Sequence, residues 1–230
     1  MLEWIKDTLY YSLIYDNRYK FIIEGLLNTI VIAFFAVIIG IIIGIVISLI
    51  RNYHDNTGKL GLLDFISKSY VNIIRGTPVI LQLMIIYYVI FKSVDINILI
   101  VGILAFGINS GAYVSEIIRS GINSIDKGQM EAGISLGLKY GTVMKNIILP
   151  QAIKNILPAL GNEFITLLKE TSVGAYIGII ELTKASDIIA SRTYDYFFPL
   201  IIVAIIYLLM TLSLSKLVNA LERKLSNARN

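Results

Sequence analysis

Polar and ionisable side chains recur at helical spacing within two largely apolar stretches of the chain. In the first stretch, Asn109, Tyr113 and Glu116 are separated by four and then three residues, which places them on one face of a helix. Amide, phenol and carboxylate groups that share a face can hold a small polar molecule. We predict that Asn109 and Tyr113 contact such a molecule, and that Glu116 and Arg119 have a structural or gating role.

The second stretch contains Glu163, the strongest candidate for a binding residue. Apolar residues flank it on both sides, so its carboxylate is expected to lie deep in an apolar environment. An unpaired carboxylate in such surroundings is costly, and a substrate ammonium or guanidinium would relieve that cost. A permanent partner, such as Lys169, Arg119 or a two-fold-related subunit, would relieve it as well. Asn162 and Thr166 lie close to the same helical face and are predicted to bind substrate with Glu163.

The composition indicates a membrane protein. Of 230 residues, 56% are hydrophobic and only 16% are charged, whereas a soluble domain has about 25% charged residues. The absence of cysteine excludes disulfides, thiolate metal sites and iron–sulfur clusters. The net charge is +4, but the basic residues form no nucleic-acid-like block, so no nucleic-acid partner is expected. The single histidine, His54, is predicted to be a solvated polar residue, and no metal site is expected.

Five apolar stretches are predicted to cross the membrane as α-helices, which makes the chain an all-α, polytopic protein. A span requires roughly 20 apolar residues. The first, third and fifth stretches meet this requirement without a charge. The second needs a backward extension from residue 76, and charges interrupt the fourth, for which buried or interfacial helices are the alternative. The five stretches are 25–50, 65–91, 96–115, 147–180 and 196–215.

The charges between these stretches predict the orientation of the chain. The segments after the first, third and fifth spans are basic, whereas acids match or outnumber bases in the segments on the other side. The positive-inside rule therefore predicts an outer N-terminus and a cytoplasmic C-terminus. Asp195, just ahead of the fifth span, is then expected near the outer entrance of a substrate path.

The segment 128–150, between the third and fourth spans, is predicted to be cytoplasmic. Residues 128–140 predict a short helix, because Met130, Ile134 and Leu138 recur every four residues. Gly137 allows a sharp turn after or within this helix, and Pro150 limits how far the next helix runs back. A helix, a glycine turn and a second helix outside the bilayer indicate a docking surface rather than a linker.

This segment resembles the EAA loop of ABC-transporter permeases. Glu131, Ala132, Gly137 and Pro150 match the motif, and Gly133 stands where the family usually has a second alanine. Further motifs resemble, in the expected order, the permease subunits of polar amino-acid importers of the HisM- and GlnP-like family. These motifs are RGTPVILQL (75–83), GAYVSEIIRSGINSIDKGQMEAG (111–133), NEFITLLKETSVG (162–174), ELTKAS (181–186) and SRTY (191–194).

The resemblance implies the type I ABC importer, or MetI-like, fold. The whole chain, residues 1–230, would form one transmembrane permease domain in the cell membrane of a prokaryote. Its expected partners are two cytoplasmic ATPase subunits, a second permease subunit (identical or a close paralogue) and an extracytoplasmic amino-acid-binding protein. The small-molecule ligand would be a polar amino acid.

The resemblance also implies how the chain is driven. Five residues would form a coupling helix that sits in a cleft of the ATPase: Glu131, Ala132, Gly133, Leu136 and Gly137. ATP and Mg²⁺ would bind the ATPase, so we expect no cofactor and no enzymatic activity on this chain. The sequence contains no G-x-x-x-x-G-K-[ST] loop, the phosphate-binding motif of such ATPases.

Two hypotheses concern the cargo and the energy source. If Glu163 and Asp195 both face the path, two acids per subunit favour a cationic amino acid such as arginine, lysine or histidine. The alternative function is that of an ion-coupled secondary transporter or a channel subunit, with Glu163 in an ion relay. That alternative leaves the coupling-like segment 128–150 unexplained.

Overall fold

The computed structural model describes residues 2–227, and in this range every regular element is a helix, with no β-strand. The ten α-helices are α1 (Leu2–Leu9), α2 (Tyr19–Thr57), α3 (Gly61–Gly76), α4 (Val79–Ile85), α5 (Ile98–Asn123), α6 (Lys127–Ser135), α7 (Tyr140–Val143), α8 (Leu149–Glu170), α9 (Leu182–Thr193) and α10 (Phe197–Asn227). Short π-helical turns follow α1, α4 and α7, and a 3₁₀-helical turn follows α8. The predicted all-α fold is confirmed.

Three helices are long and apolar enough to cross a membrane: α2, α5 and the part of α10 from Phe197 to Leu225. They correspond to the predicted first, third and fifth spans. α2 has 39 residues and is about 58 Å long at 1.5 Å per residue, well beyond the ~30 Å hydrocarbon core. Its last turns therefore extend past the apolar span.

The second predicted span is not one continuous helix. Neither α3 nor the helical segment Val79–Ile90 is long and apolar enough to span a membrane alone, although the two together are. They are bent by 110° at the break between them. Thr77 has an extended backbone (φ −124°, ψ 147°), because the residue before a proline is sterically excluded from the helical region. Pro78 thus breaks the backward extension that the sequence analysis assumed.

The fourth predicted span is present as a single helix, α8, of 22 residues. It is not among the helices of the described chain that are apolar enough to span by composition alone. Two prolines are accommodated: Pro150 lies in the first turn and Pro158 in the interior. The π-helical turn Met144–Ile148 directly precedes α8, so the wider turn occurs where Pro150 cannot donate a backbone hydrogen bond.

Contacts between the helices show that the chain crosses the bundle five times. Gly40 packs on Ser110 and Gly44 on Val114, so α2 and α5 run parallel, and the α3–α4 pair must return the chain between them. Ser110 contacts Glu163 and Gly121 packs on Ile156, so α8 runs antiparallel to α5. α10 is antiparallel to α8, because Val218 packs on Gly161 and Leu214 lies near Leu168. The two ends of the described chain therefore lie at opposite ends of the bundle; which end faces the cytoplasm stays a prediction.

The close contact between α2 and α5 forms the centre of the bundle. A Cβ added to Gly40 would lie 2.7 Å from the Ser110 hydroxyl, and one added to Gly44 would lie 2.5 Å from Val114 Cγ1. Small residues at this spacing let two membrane helices approach until their backbones nearly touch. Ile32, Ala36 and Phe106 are fully buried in the same interface. This packing fixes the depth of α5, and with it the position of every polar group on that helix.

Candidate functional site

A cavity of about 410 Å³ lies between α5, α8 and the C-terminal end of α3. We call it the α5–α8 cavity, and it is on the half of the bundle nearer α6. Its size is within the ~300–1,000 Å³ range of small-molecule sites. Seven of its ten lining residues have polar or charged side chains: Arg75, Tyr113, Glu116, Ser120, Ser124, Asn155 and Glu163. The other three are Ile117, Gly121 and Ala159.

Glu163 reaches this cavity from α8. Its Oε1 accepts a hydrogen bond of 2.8 Å from the hydroxyl of Ser110 on α5, and Ser110 itself is fully buried against α2. Among the described residues Glu163 forms no ion pair: neither Lys169 nor Arg119, the permanent partners considered from sequence, lies within 4.0 Å of it. The carboxylate is thus held in place by one hydroxyl and remains available to a cation that enters the cavity.

Glu116 is the other acid in the cavity, and its carboxylate is already engaged. Oε1 contacts Arg51 of α2 at 2.5 Å, and Arg119 donates to both carboxylate oxygens at 2.8 and 3.2 Å. Arg75 approaches Oε2 to 3.8 Å. The carboxylate therefore joins α2, α3 and α5 at one point, which fits the structural or gating role expected for Glu116 and Arg119.

Tyr113 lines the cavity, but Asn109, one helical turn away, does not. Asn109 is buried, and its Nδ2 donates a 2.9 Å hydrogen bond to Oε1 of Gln82 on α4. The amide of Gln82 in turn donates to the Ile74 carbonyl and to the Thr77 hydroxyl, both at 2.8 Å. Asn109 and Tyr113 share one face of α5 but have different surroundings. α4 covers Asn109, which supports the α3–α4 bend, whereas Tyr113 faces the cavity.

Asn162 and Thr166 lie beside Glu163 on α8 but do not line the cavity. Both side chains are exposed, on a face of α8 that no described part of this chain covers. A polar helix face at membrane depth is normally covered by protein or faces a water-filled path. The expected contact of these two residues with substrate would therefore need a second subunit to complete the path.

Asp195 lies at the opposite end of the bundle from the cavity. Its Oδ1 accepts a 2.9 Å hydrogen bond from the backbone N–H of Phe197, the first residue of α10. Its Oδ2 is buried and has no hydrogen-bond partner in the described chain. The structure gives Asp195 a capping role at the start of α10 and does not bring it together with Glu163. The hypothesis of a cationic cargo assumed that Glu163 and Asp195 both face the path; of these two acids, Glu163 alone lines the α5–α8 cavity.

The helix predicted at the start of the coupling segment begins where expected but ends earlier than expected. Asp126 caps α6 by accepting the Gly128 N–H at 2.8 Å, but α6 ends at Ser135, five residues before the predicted end at 140. Gly137 has a φ of +84°, and two hydrogen bonds close the turn: Gly137 N–H to the Ile134 carbonyl and Leu138 N–H to the Gly133 carbonyl. This is a Schellman motif, and it breaks the periodicity that placed Leu138 on the same helix.

The five predicted coupling residues divide into an exposed and a structural set. Glu131 and Ala132 are exposed, and Leu136 is 82% exposed. Gly133 is buried against Val143 of α7, where an added Cβ would lie 2.6 Å from Cγ2, and Gly137 forms the turn. The exposed apolar side chains Ile134, Leu136 and Leu138 form what we call the α6 patch.

Hydrogen bonds tie the coupling segment to two long helices. Gln129 of α6 and Gln151 of α8 exchange side-chain hydrogen bonds at 3.1 and 2.6 Å. The hydroxyl of Tyr140, on α7, donates to Asn52 Oδ1 at 3.0 Å and accepts from Asn56 Nδ2 at 2.7 Å. Both asparagines belong to the extension of α2 beyond its apolar span. The coupling segment is therefore hydrogen-bonded to α8 through α6 and to α2 through α7.

Sequence reasoning missed several residues of the site. Arg75, Ser110 and Asn155 were not candidates, because each acts through a contact with a helix far away along the chain. His54, expected to be a solvated polar residue, also makes a local contact: its Nδ1 lies 2.8 Å from the Lys59 carbonyl oxygen in the α2–α3 turn.

Comparisons with known proteins agree with this architecture. A family described as the inner membrane component of binding-protein-dependent transport systems matches residues 57–227. A putative glutamine transport system permease protein of Rickettsia typhi is 40% identical over 219 residues, covering 94% of this chain and 98% of that protein. The arginine transport system permease protein ArtQ of Bacillus subtilis is 43% identical over 209 residues, covering 90% and 93%.

Solved structures give the same result. The crystal structure of an amino acid ABC transporter with histidines matches with a TM-score of 0.83 and 42% identity, covering 97% of both chains. An inward-facing structure of the MetNI methionine ABC transporter shares the fold at a TM-score of 0.68 and 20% identity, covering 87% of this chain and 95% of that one. The expected MetI-like fold is therefore confirmed. The chain belongs to the family of inner membrane components of binding-protein-dependent transport systems.

Proposed function

We propose that this chain is the permease subunit of an ATP-driven uptake system for a polar amino acid, with a basic amino acid preferred. The observation that carries the proposal is the carboxylate of Glu163 at the α5–α8 cavity, which no cation of the described chain pairs within 4.0 Å. An amino acid always brings an ammonium group to such a carboxylate, and a basic one can bring its side chain instead. The names of the relatives, which refer to glutamine, arginine and histidine, support the substrate class.

We assign the substrate path to the cavity and to the uncovered face of α8. Glu163 and Tyr113 contact the amino acid directly. Asn162 and Thr166 line the path between this chain and a second permease subunit, either identical or a paralogue. We assign Asn109 and Asp195 to supporting roles, because neither lines the cavity: Asn109 is hydrogen-bonded to Gln82 of α4, and Asp195 caps α10.

We place ATP hydrolysis on two separate cytoplasmic subunits, one docked on each permease. The α6 patch is the contact surface, because Ile134, Leu136 and Leu138 are exposed outside the predicted spans. Closure of the ATPase pair would draw the coupling segments together. The hydrogen bonds from Gln129 and Tyr140 would then carry that movement to α8 and α2 and open the path to the opposite side. An extracytoplasmic binding protein would deliver the amino acid.

The ion-coupled transporter or channel has less support. That alternative was based on an intramembrane ion relay through Glu163. The chain belongs instead to a family whose transport depends on binding proteins. The attachment of the coupling segment to α8 through Gln129 and to α2 through Tyr140 is explained by a docked motor subunit and has no role in a channel.

The test is the amino-acid-stimulated ATP hydrolysis of the assembled transporter in proteoliposomes. We expect stronger stimulation by L-arginine or L-histidine than by L-glutamine, and a loss of about tenfold or more in Glu163→Gln, since a charge-assisted contact is removed. Glu222→Gln is the matched control, because Glu222 is exposed and forms no ion pair in the described chain. Equal stimulation by arginine and glutamine would contradict the basic preference. No stimulation by any amino acid would contradict the proposed function.

A further inference from the structure

The cluster around Glu116 contains more positive charge than one carboxylate can neutralise. Three guanidinium groups converge on it, those of Arg51, Arg75 and Arg119. Asp55 lies near Arg119, where both line a small adjoining cavity, and offsets one further charge. One guanidinium therefore remains uncompensated.

Arg75 is the guanidinium that remains available. Arg51 and Arg119 occupy both oxygens of Glu116 at hydrogen-bond distance, whereas Arg75 Nη1 is 3.8 Å from Oε2, too far for a hydrogen bond. Arg75 donates no hydrogen bond to any residue between positions 2 and 227. A guanidinium has five N–H donors, and Arg75 is one of the residues that line the α5–α8 cavity.

The position of Arg75 is nevertheless defined. Its Cζ lies over the ring of Tyr113, 5.5 Å from the ring centroid. This is a cation–π distance, so the aromatic ring helps to hold the guanidinium in place. Its side chain is 45% exposed and can turn toward the cavity without leaving a buried space empty. The planar fork of an arginine matches a carboxylate in bidentate fashion.

The cavity thus presents one available cation and one available anion. Arg75 on α3 and Glu163 on α8 both line it, yet they form no ion pair with each other within 4.0 Å in the described chain. Two opposite charges held apart across a cavity of about 410 Å³ are complementary to a zwitterion.

We propose that Arg75 binds the α-carboxylate of the transported amino acid and makes that carboxylate a requirement for binding. The proposal rests on the proposed function and deepens it: the permease itself, apart from any binding protein, distinguishes an amino acid from the amine that lacks its carboxylate. When the substrate binds, Arg75 exchanges its long contact with Glu116 for direct hydrogen bonds to the substrate.

The test measures equilibrium binding to the purified permease–ATPase complex without nucleotide or binding protein. The probe pairs are L-arginine with agmatine, which is arginine without its carboxylate, and L-glutamine with 4-aminobutanamide. In the wild type we expect the preferred amino acid to bind about tenfold or more tightly than its amine. Arg75→Gln should bring this ratio to about one by weakening the amino acid alone, and Arg75→Lys should restore it in part.

Arg223→Gln is the control, because Arg223 is an exposed residue of α10 that does not line the α5–α8 cavity and forms no ion pair in the described chain. It should keep the wild-type ratio. An unchanged ratio in Arg75→Gln, or an equal loss of ratio in Arg223→Gln, would overturn the role of Arg75 while leaving amino-acid transport intact. Failure of both amino acids to bind the wild-type complex would instead contradict the proposed function. Amine binding also reports folding of each variant, so a lost ratio cannot be confused with a lost site.

Discussion

The coupling segment and the α5–α8 cavity lie at the same half of the bundle, yet they are held together in different ways. The contacts that shape α6 are local: its cap, its glycine turn and its seat on α7 all lie within residues 126–143. The contacts that shape the cavity are distant, since Arg51 and Glu116 are 65 positions apart and Ser110 and Glu163 are 53 apart.

This difference has a mechanical consequence. A locally stabilised helix can move as a rigid body and transmit force through a few hydrogen bonds. A cavity built from side chains of three helices changes shape whenever those helices shift relative to each other. The coupling segment is thus suited to move as a rigid unit, and the cavity is suited to change shape when the helices around it shift. Variants in the two regions should separate these roles.

The largest effect is expected from Gly133→Val. The added side chain would overlap Val143, whose Cγ2 lies 2.6 Å from an ideal Cβ at this position, so α6 cannot seat on α7. We expect co-purification with the ATPase and ATP-driven uptake to fall by about tenfold or more, because overpacking displaces the docking helix. Gly141→Ala, where nothing lies within 4 Å of the new Cβ, is the matched control. Wild-type uptake by Gly133→Val would show that the seat on α7 is dispensable.

A smaller effect is expected from Glu116→Gln, on the cavity side. The change leaves three guanidinium groups around a neutral amide, and breaking a partly buried ion pair costs on the order of 2 kcal/mol. Thermal unfolding in detergent should report this as a clear loss of stability. The double variant Arg51→Gln, Glu116→Gln should recover part of it, since one like charge is removed. A double variant no more stable than Glu116→Gln would contradict the charge cluster.

Tyr140→Phe should have a still smaller effect, on coupling rather than on assembly. It removes the hydroxyl that joins α7 to Asn52 and Asn56 of α2, at about 1 kcal/mol for each hydrogen bond lost. We expect the ATPase to remain bound, while the amino acid transported per ATP hydrolysed falls about threefold. Tyr53→Phe, on α2 beside Asn52, is the control, because Tyr53 is exposed and its hydroxyl bonds to no residue of the described chain. An unchanged ratio would remove α2 from the transmission route.

The smallest effect on the folded chain is expected from Leu136→Ala. Leu136 is 82% exposed, so the unfolding free energy should change by less than about 0.5 kcal/mol. Binding of the ATPase subunit should nevertheless weaken, because the α6 patch loses its most exposed side chain. Leu62→Ala, on α3 and 74% exposed, is the matched change outside the patch. Equal ATPase affinity in the two variants would place the docking surface elsewhere.

The same contrast explains how much could be predicted from sequence. The first, third and fifth spans follow from uninterrupted apolar stretches, and the docking segment follows from local signals around Glu131 and Pro150. The early end of α6 was also encoded locally, in Gly137, but the periodicity of Leu138 concealed it. The bend at Pro78 was not predicted, because residues 65–91 have enough apolar length for one span although the proline interrupts the helix.

The cavity could be predicted only in part. Tyr113 and Glu163 were found because helical spacing and membrane burial single them out within their own stretches. Arg75 was not, because its role depends on the end of α3 meeting α5, a contact that no periodicity reveals. Asn109 was assigned to substrate from its helical spacing with Tyr113, and Asp195 from its position just ahead of the fifth span. Neither signal could show that Asn109 contacts Gln82 or that Asp195 caps α10.

The most direct test of the account is a structure of the assembled transporter with bound L-arginine, determined by electron cryomicroscopy. We predict density for the amino acid in the α5–α8 cavity, within hydrogen-bond distance of Glu163, and an ATPase subunit in contact with the α6 patch. Amino-acid density outside that cavity, or an ATPase docked away from Leu136, would contradict it.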